Sequence, residues 1–355
     1  MNKQIKIGFV GVGGMGQMAH LRNYTSPSLA AECEVVALAE LRPQLAQTVA
    51  ARYGVPRVYA GHEEMLAREQ LDAIVAAQPF ARHGQLLPAL ARAGVPVFSE
   101  KPLASSVAVG ERIVSAFAEH QTWLMVGYHK RSDPATELVK RTVSEWRQSG
   151  AMGKLRYVRV TIPPGDWQAA GWADLLRADD PPLKLNDDPP APDLDADGVK
   201  FYLWFVNYYI HQVNLLRFLL GENYTLSYAD PAGVLLVAHS DSGVTGAIEM
   251  EPYATQIDWH ETALVAFERG YLKLRLPAPL AYNRPGAVEL YRGQPADGEP
   301  PTLTVPSLPW VHAMKNQALN FIKAVRGEQP APCLAPEALE DLKIAREYQR
   351  LLTGK

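Results

Sequence analysis

Gly11-Val12-Gly13-Gly14-Met15-Gly16 follows directly on the apolar run Ile5 to Val10, which puts a G-x-G-x-x-G turn between a first strand and a helix expected to start near Met15. Gly11 permits a tight turn, Gly13 lets the backbone approach a pyrophosphate, and Gly16 lets the helix pack closely on the strand. Backbone N–H groups around Gly14 and Met15 then face the phosphates at the helix start. An ordinary glycine-rich strand-to-helix turn has the same letters. Here the strand, the helix and an acid at the end of the next strand agree on dinucleotide binding.

That acid is Glu40, which closes the apolar strand Glu34-Val35-Val36-Ala37-Leu38-Ala39. A carboxylate there accepts hydrogen bonds from the ribose hydroxyls of NAD and repels the additional phosphate of NADP. Arg42 stands two residues on, and its guanidinium offers a bidentate partner to that phosphate. The plainer reading is a solvated helix-start residue before Pro43, so NAD is favoured over NADP.

Up to about Val126 the chain alternates short apolar strands with amphipathic helical stretches. Ile5 to Val10, Val35 to Ala39, Ala73 to Ala76, Val95 to Ser99 and Trp123 to Val126 read as strands, and Arg42 to Tyr53 and Gly84 to Ala93 as helices. This is an α/β pattern, a doubly wound parallel sheet. After Asp133-Pro134 a helix is expected from Ala135 to Gln148 and a strand from Leu155 to Ile162. Pro163 to Lys200 is rich in Pro, Asp and Gly and reads as one long loop, either a lid or an excursion to another domain or subunit. Tyr202 to Leu220 reads as a single helix. Gly233 to Ala238, Val244 to Glu251, Glu261 to Glu268, Tyr271 to Leu276 and Val288 to Tyr291 suggest an open, mainly antiparallel sheet, followed by helices at Val311 to Val325 and Pro336 to Leu352.

Several functions are excluded on composition. With 355 residues, 47% hydrophobic and 21% charged, the chain has material for two cores. A net charge of −3 without like-charge blocks leaves no electrostatic footprint for nucleic acid or an anionic membrane. Cys33 and Cys333 form no C-x-x-C pattern, so neither a metal site nor a disulfide framework is indicated. The first strand begins within a few residues of Met1 and no apolar stretch reaches bilayer length, so a cytoplasmic protein is expected.

Two places carry chemistry. Ser99-Glu100-Lys101-Pro102 lies at the carboxyl end of a parallel strand, where open α/β sheets bind ligands. The Lys101 ammonium there is placed to hydrogen-bond a substrate oxygen and to take part in proton transfer; the alternative is a surface lysine in a loop. In Tyr202 to Leu220, Asn207, His211 and Asn214 follow at intervals of four and three, which puts them on one face of an otherwise apolar helix. A lone histidine on such a face is commonly a satisfied core residue, but hydride transfer from an alcohol needs a base close to the nicotinamide.

Together the glycine turn, Glu100-Lys101-Pro102 and the helix bearing His211 resemble the Gfo/Idh/MocA oxidoreductases over nearly the whole chain. Gln78-Pro79-Phe80-Ala81-Arg82-His83 and Gly127-Tyr128-His129-Lys130-Arg131 are similar to further family segments. The resemblance implies a Rossmann domain at 1–127, a substrate-binding and oligomerisation α/β domain at 128–332 and a C-terminal helix, 333–355, packing back on the first. It places Gln78, Pro79, His83 and Glu100 beside the cofactor, gives Lys101 the active-site lysine and His211 the base, and puts His129 and Lys130 against substrate. His129 is equally well a structural residue. The family commonly has D-x-x-x-H where this chain has Asn207-Tyr208-Tyr209-Ile210-His211, and a second frequent acid is replaced by Asn214. Asparagine orients a group but carries no proton.

The reaction implied is hydride exchange between NAD and a secondary hydroxyl of a sugar, glycoside or cyclitol, in a homodimer or homotetramer joined through the open sheet. His211 would take the proton, Lys101 would hold the oxygen and Asn207 would orient a neighbouring hydroxyl. Trp167 is a candidate for stacking on a sugar face, as are Trp172, Trp204 and Trp310, although such residues also fill cores. Two other readings stand beside it. One is an NAD-retaining hydrolase or lyase working by transient oxidation and elimination, with Tyr208 or Tyr209 as proton donor. The other is a nucleotide-binding regulatory protein that has lost catalysis.

Overall fold

The computed structural model describes residues 3–181, 183–293 and 300–354. Among the described residues the chain divides into two compact units. The first runs to Tyr128 and also takes in Ala170–Asn207 and Gln317–Leu342; the second comprises His129–Ala169, Tyr208–Asn316 and the residues from Lys343 on. This division differs from three consecutive blocks at 1–127, 128–332 and 333–355. Within 170–207, Leu176 and Ala178 pack on the first unit's core, as do Ala318, Phe321 and Ile322.

In the first unit β1 (Ile5–Val10), β2 (Cys33–Ala39), β3 (Arg57–Tyr59), β4 (Ala73–Ala76), β5 (Val97–Glu100) and β6 (Leu124–Gly127) form a parallel sheet in the order β3-β2-β1-β4-β5-β6. This is the strand order of a doubly wound dinucleotide fold, and it puts its switch point at the end of β1. All residues of β1, β4, β5 and β6 except Lys6 are buried, as expected of strands covered on both faces. The chain is helical from Gly14, one residue earlier than expected, and takes a π-helical form over Gly16–Leu21 before α1 (Arg22–Tyr24). Next come α2 (Pro43–Tyr53), α3 (His62–Arg68), α4 (His83–Ala91) and α5 (Val107–Glu119).

The second unit holds α6 (Pro134–Ser149) and an eight-stranded sheet built from β7 (Leu155–Ile162), β8 (Tyr224–Ala229), β9 (Leu235–Ser240), β10 (Thr245–Met250), β11 (Glu261–Phe267), β12 (Gly270–Leu276), β13 (Ala287–Arg292) and β14 (Thr302–Thr304). Its pairs are antiparallel except β7 with β10. β11 alternates strictly, burying Glu261, Ala263, Val265 and Phe267. That face meets the helices: the Phe267 ring packs edge-on against Trp146 of α6 at 5.2 Å.

The expected helix Tyr202 to Leu220 is two helices, α7 (Ala196–Tyr208) and α8 (Ile210–Leu220), interrupted at Tyr209. The Tyr209 hydroxyl is drawn to Glu251 at 2.5 Å, a tertiary bond that no helical period reports. The expected loop is also shorter, since α7 starts at Ala196, where the Asp195 carboxylate accepts the Gly198 N–H at 2.8 Å. α9 (Ala313–Val325) adds Ala318, Phe321 and Ile322 to the first unit's core beside Phe98. In α10 (Ala335–Thr353), Leu339 and Leu342 stand against the open side of Gly110 on α5. None of the described helices is long and apolar enough to cross a membrane.

Candidate active site

The glycine turn has no room for side chains where it bends. Gly11 has φ +88°, and a Cβ on it would lie 2.6 Å from the Ala77 carbonyl oxygen and 2.3 Å from the Gln78 amide. A Cβ on Gly16 would lie 2.3 Å from the Gly11 carbonyl, which is backbone and does not move aside. Between them the turn is open at Gly13 and covered by Trp172 at Gly14. A Cβ on Gly13 would meet only Arg42 Nη2, at 3.8 Å, and one on Gly14 would touch the Trp172 ring at 3.1 Å. Gly13, Gly14 and Met15 thus form a cradle at a helix start, and its shape fits a dinucleotide pyrophosphate.

Glu40, just past β2, closes the neighbouring wall. Its Oε2 accepts the Val12 N–H at 3.0 Å, and Arg42 grips the same carboxylate through Nε at 2.8 Å and Nη2 at 3.0 Å. Burial raises the Glu40 carboxyl, but the Arg42 guanidinium and the Val12 N–H outweigh it, and the pKa ends below the ordinary glutamate value. Arg42 is therefore a clamp on Glu40 and not a solvated helix-start residue.

Glu100 ends β5 and is buried. Its Oε1 lies 2.5 Å from His20 Nε2, and its Oε2 accepts the Lys101 N–H at 3.2 Å. Burial again raises this carboxyl, and the bond to His20 brings it below the usual range. His20 escaped the sequence reading. The signal was a histidine inside the apolar stretch after the glycine turn. The Lys101–Pro102 peptide is cis, and Lys101 Nζ donates to the Asn207 carbonyl oxygen at 2.6 Å.

His83 is fully buried. Its Nδ1 lies 3.1 Å from the Pro102 carbonyl and its Nε2 3.2 Å from that of Gln78, so the ring sits between the Gln78-Pro79 turn and the loop after Lys101 and, when neutral, donates its one N–H to one of them. Burial is the largest influence and lowers its pKa, which keeps the imidazole neutral. A histidine held below its unfolded pKa stabilises the fold above that pKa, and the contribution is lost as pH falls through it. Wild-type stability is accordingly expected to fall more steeply than that of His83→Gln below pH ~6.5. Urea midpoints measured between neutral and mildly acidic pH check this, and parallel slopes would contradict it.

In the second unit a polar cluster gathers on the helix-covered side of the sheet. The His129 and His211 rings meet edge to face at 4.8 Å. Lys130 forms a buried ion pair with Glu261, whose carboxylate also accepts from Gln212 Nε2 at 2.8 Å and Trp259 Nε1 at 3.2 Å. Asn214 accepts from Arg131 Nε at 2.6 Å. Tyr208 packs edge-on to Tyr209 at 4.9 Å, and burial, then Glu251 and Glu261, push its phenol up to about 12. Trp167 holds the 278–280 segment through its carbonyl, which accepts the Leu280 N–H at 3.2 Å. Asn207 is exposed at the end of α7. Glu251, Glu261, Trp259 and Gln212 were not singled out from the sequence.

An acid-closed glycine turn at the switch point and a lysine at the end of β5 define an NAD(P)-dependent oxidoreductase. The family profile GFO_IDH_MocA, described as "Oxidoreductase family, NAD-binding Rossmann fold", matches residues 5–128, so the first unit is similar to the Gfo/Idh/MocA oxidoreductases. An inositol 2-dehydrogenase from Rhizobium meliloti is 25% identical over 361 residues, covering 96% of this chain and 96% of its own. Among solved structures, a candidate NADPH-dependent oxidoreductase from Desulfitobacterium hafniense superposes with a TM-score of 0.75 at 14% identity, covering 99% of this chain and 96% of its own. The aldose-aldose oxidoreductase of Caulobacter crescentus, complexed with glycerol, gives 0.70 at 17% identity, with coverage of 99% and 98%.

Proposed function

We propose that the chain is an NAD-linked enzyme interconverting a secondary alcohol and ketone on a sugar, glycoside or cyclitol. The observation that carries this is one sheet bearing both the glycine cradle beside Glu40 and, at the end of β5, the Lys101 ammonium. Relatives named for inositol and aldoses support the substrate class. When bound, the nicotinamide supplies the hydride acceptor in one direction and the donor in the other.

Lys101 holds the reacting oxygen and stabilises negative charge developing on it, and the His211 imidazole accepts the hydroxyl proton. Asn207 accepts or donates a hydrogen bond to a neighbouring hydroxyl without taking a proton. Glu40, held ionised, receives the ribose hydroxyls and opposes a 2′-phosphate. His129 and Trp167 line the sugar, Lys130 backs them from its buried pair with Glu261 and does not itself meet substrate, and the open sheet joins subunits.

The test is a panel of sugars, glycosides and cyclitols incubated with NAD and with NADP, recording both nicotinamide reduction and product identity. A keto product formed with stoichiometric NADH is expected. Aglycone release without NADH would replace this reading with elimination through transient oxidation. Cofactor binding with no turnover anywhere would favour a regulatory protein.

A further inference from the structure

The segment after Ala169 runs as a strap over the carboxyl edge of the first unit's own sheet. Trp172 lies on Gly14. The Leu176 backbone exchanges two hydrogen bonds with the Gln17 side chain, at 3.1 and 3.2 Å, and Leu176 and Ala178 pack on the core. Further on, the Asn186 carbonyl accepts from Gln85 Nε2 at 2.9 Å and the Asp188 carboxylate accepts the Gly84 N–H at 2.7 Å. Asp180 is thus borne on chain anchored on both sides.

The Asp180 carboxylate accepts the Gln44 N–H at 3.0 Å and the Leu45 N–H at 2.8 Å. These are first-turn N–H groups of α2, which have no partner inside the helix. Pro43 before them has no N–H, and the N-cap residue Arg42 makes no side-chain cap. Partial positive charge from the eleven-residue helix adds to the attraction. A helix start of this kind binds phosphate. Here the chain supplies its own anion.

The place matters because α2 opens just after Glu40, where the adenosine ribose lies in the functional reading above. A 2′-phosphate on that ribose would be directed to this helix start and to Arg42. Both are engaged. Arg42 is gripped by Glu40 and has Asp180 as a second charge neighbour.

We propose that Asp180 is a cofactor-specificity residue: a strap-borne carboxylate fills, from within the chain, the anion position that NADP would need, so that NAD is accepted and NADP is rejected. Glu40 alone would repel the phosphate, but the helix start would still attract it; Asp180 removes that attraction. The proposal rests on the NAD reading.

The experiment uses the full chain and measures dissociation constants for NADH and NADPH by nicotinamide fluorescence. It compares wild type with Asp180→Asn, which keeps an acceptor oxygen, and with Asp180→Ser, which supplies a neutral cap. Thermal unfolding confirms that each variant is folded. In wild type NADH is expected to bind more tightly than NADPH. In both variants NADPH is expected to tighten about tenfold, while NADH changes less than about threefold. An unchanged NADPH-to-NADH ratio in either folded variant overturns the proposal, as does wild-type protein binding both equally, and neither touches the oxidoreductase reading. Wild type that binds neither dinucleotide overturns both.

Discussion

Lys101→Met is expected to lower turnover at least about a hundredfold while NADH affinity stays within about threefold of wild type. The asymmetry comes from where the two ends of this residue are engaged. Its backbone N–H belongs to the Glu100 carboxylate, which is itself held by His20, and methionine leaves both bonds in place. Only the ammonium is lost, together with its bond to the Asn207 carbonyl. Methionine retains an apolar stem of similar length, so packing changes little. An ammonium that holds the reacting oxygen acts more strongly as negative charge grows there, and its removal falls on kcat more than on KM. The measurement is steady-state turnover on any substrate the panel reveals, with NADH titrated separately. Undiminished kcat would remove Lys101 from the chemistry and with it the leading functional reading. A parallel loss of NADH affinity would instead mark the residue as part of the cofactor wall.

What the sequence disclosed and what it withheld divide along a physical line. Strands β1, β2, β4, β5 and β6 are continuous apolar runs bounded by turn residues, and β9 to β13 alternate, so period and punctuation were enough to find them. β3 and β14 have three residues each and α3 has seven, too few for a period to show, and these were missed. The glycine turn, Glu40 and Lys101 were legible because their chemistry depends on local spacing within one strand-turn-helix unit. The partners were not. His20 finds Glu100 across 80 positions and Lys130 finds Glu261 across 131, and neither pair leaves a local trace. A weaker signal did exist for Glu261, since it stands in the buried phase of an alternating strand, where a charge needs a partner. The break at Tyr209 follows the same logic: local sequence favours one helix, and a bond to Glu251, 42 residues away, accompanies two.

The second large effect is expected in the second unit, where Glu261→Gln should destabilise the protein by about 3–5 kcal/mol and the double variant Lys130→Met with Glu261→Gln should recover most of that loss. Lys130 is 5% exposed at its side chain and Glu261 is 0% exposed, so neither charge can turn to water when the other is removed. In the single variant the one glutamine oxygen accepts from Trp259, and the amide nitrogen that replaces the other oxygen faces Gln212, which must turn its own amide oxygen inward to accept it. What remains is a buried ammonium without its carboxylate, 5.7 Å from the Trp259 ring. Taking away that ammonium as well leaves hydrogen-bonded neutral groups and a methionine stem, which the core tolerates. Denaturant unfolding of wild type, both single variants and the double variant closes the thermodynamic cycle. A coupling of at least about 2 kcal/mol is expected, since the two groups are in direct contact. It should be nearly insensitive to salt, because counter-ions cannot enter to screen a pair this deeply buried. Additive effects, or a coupling that salt erases, would mean that Lys130 reaches solvent and that the pair is a surface ion pair of little consequence.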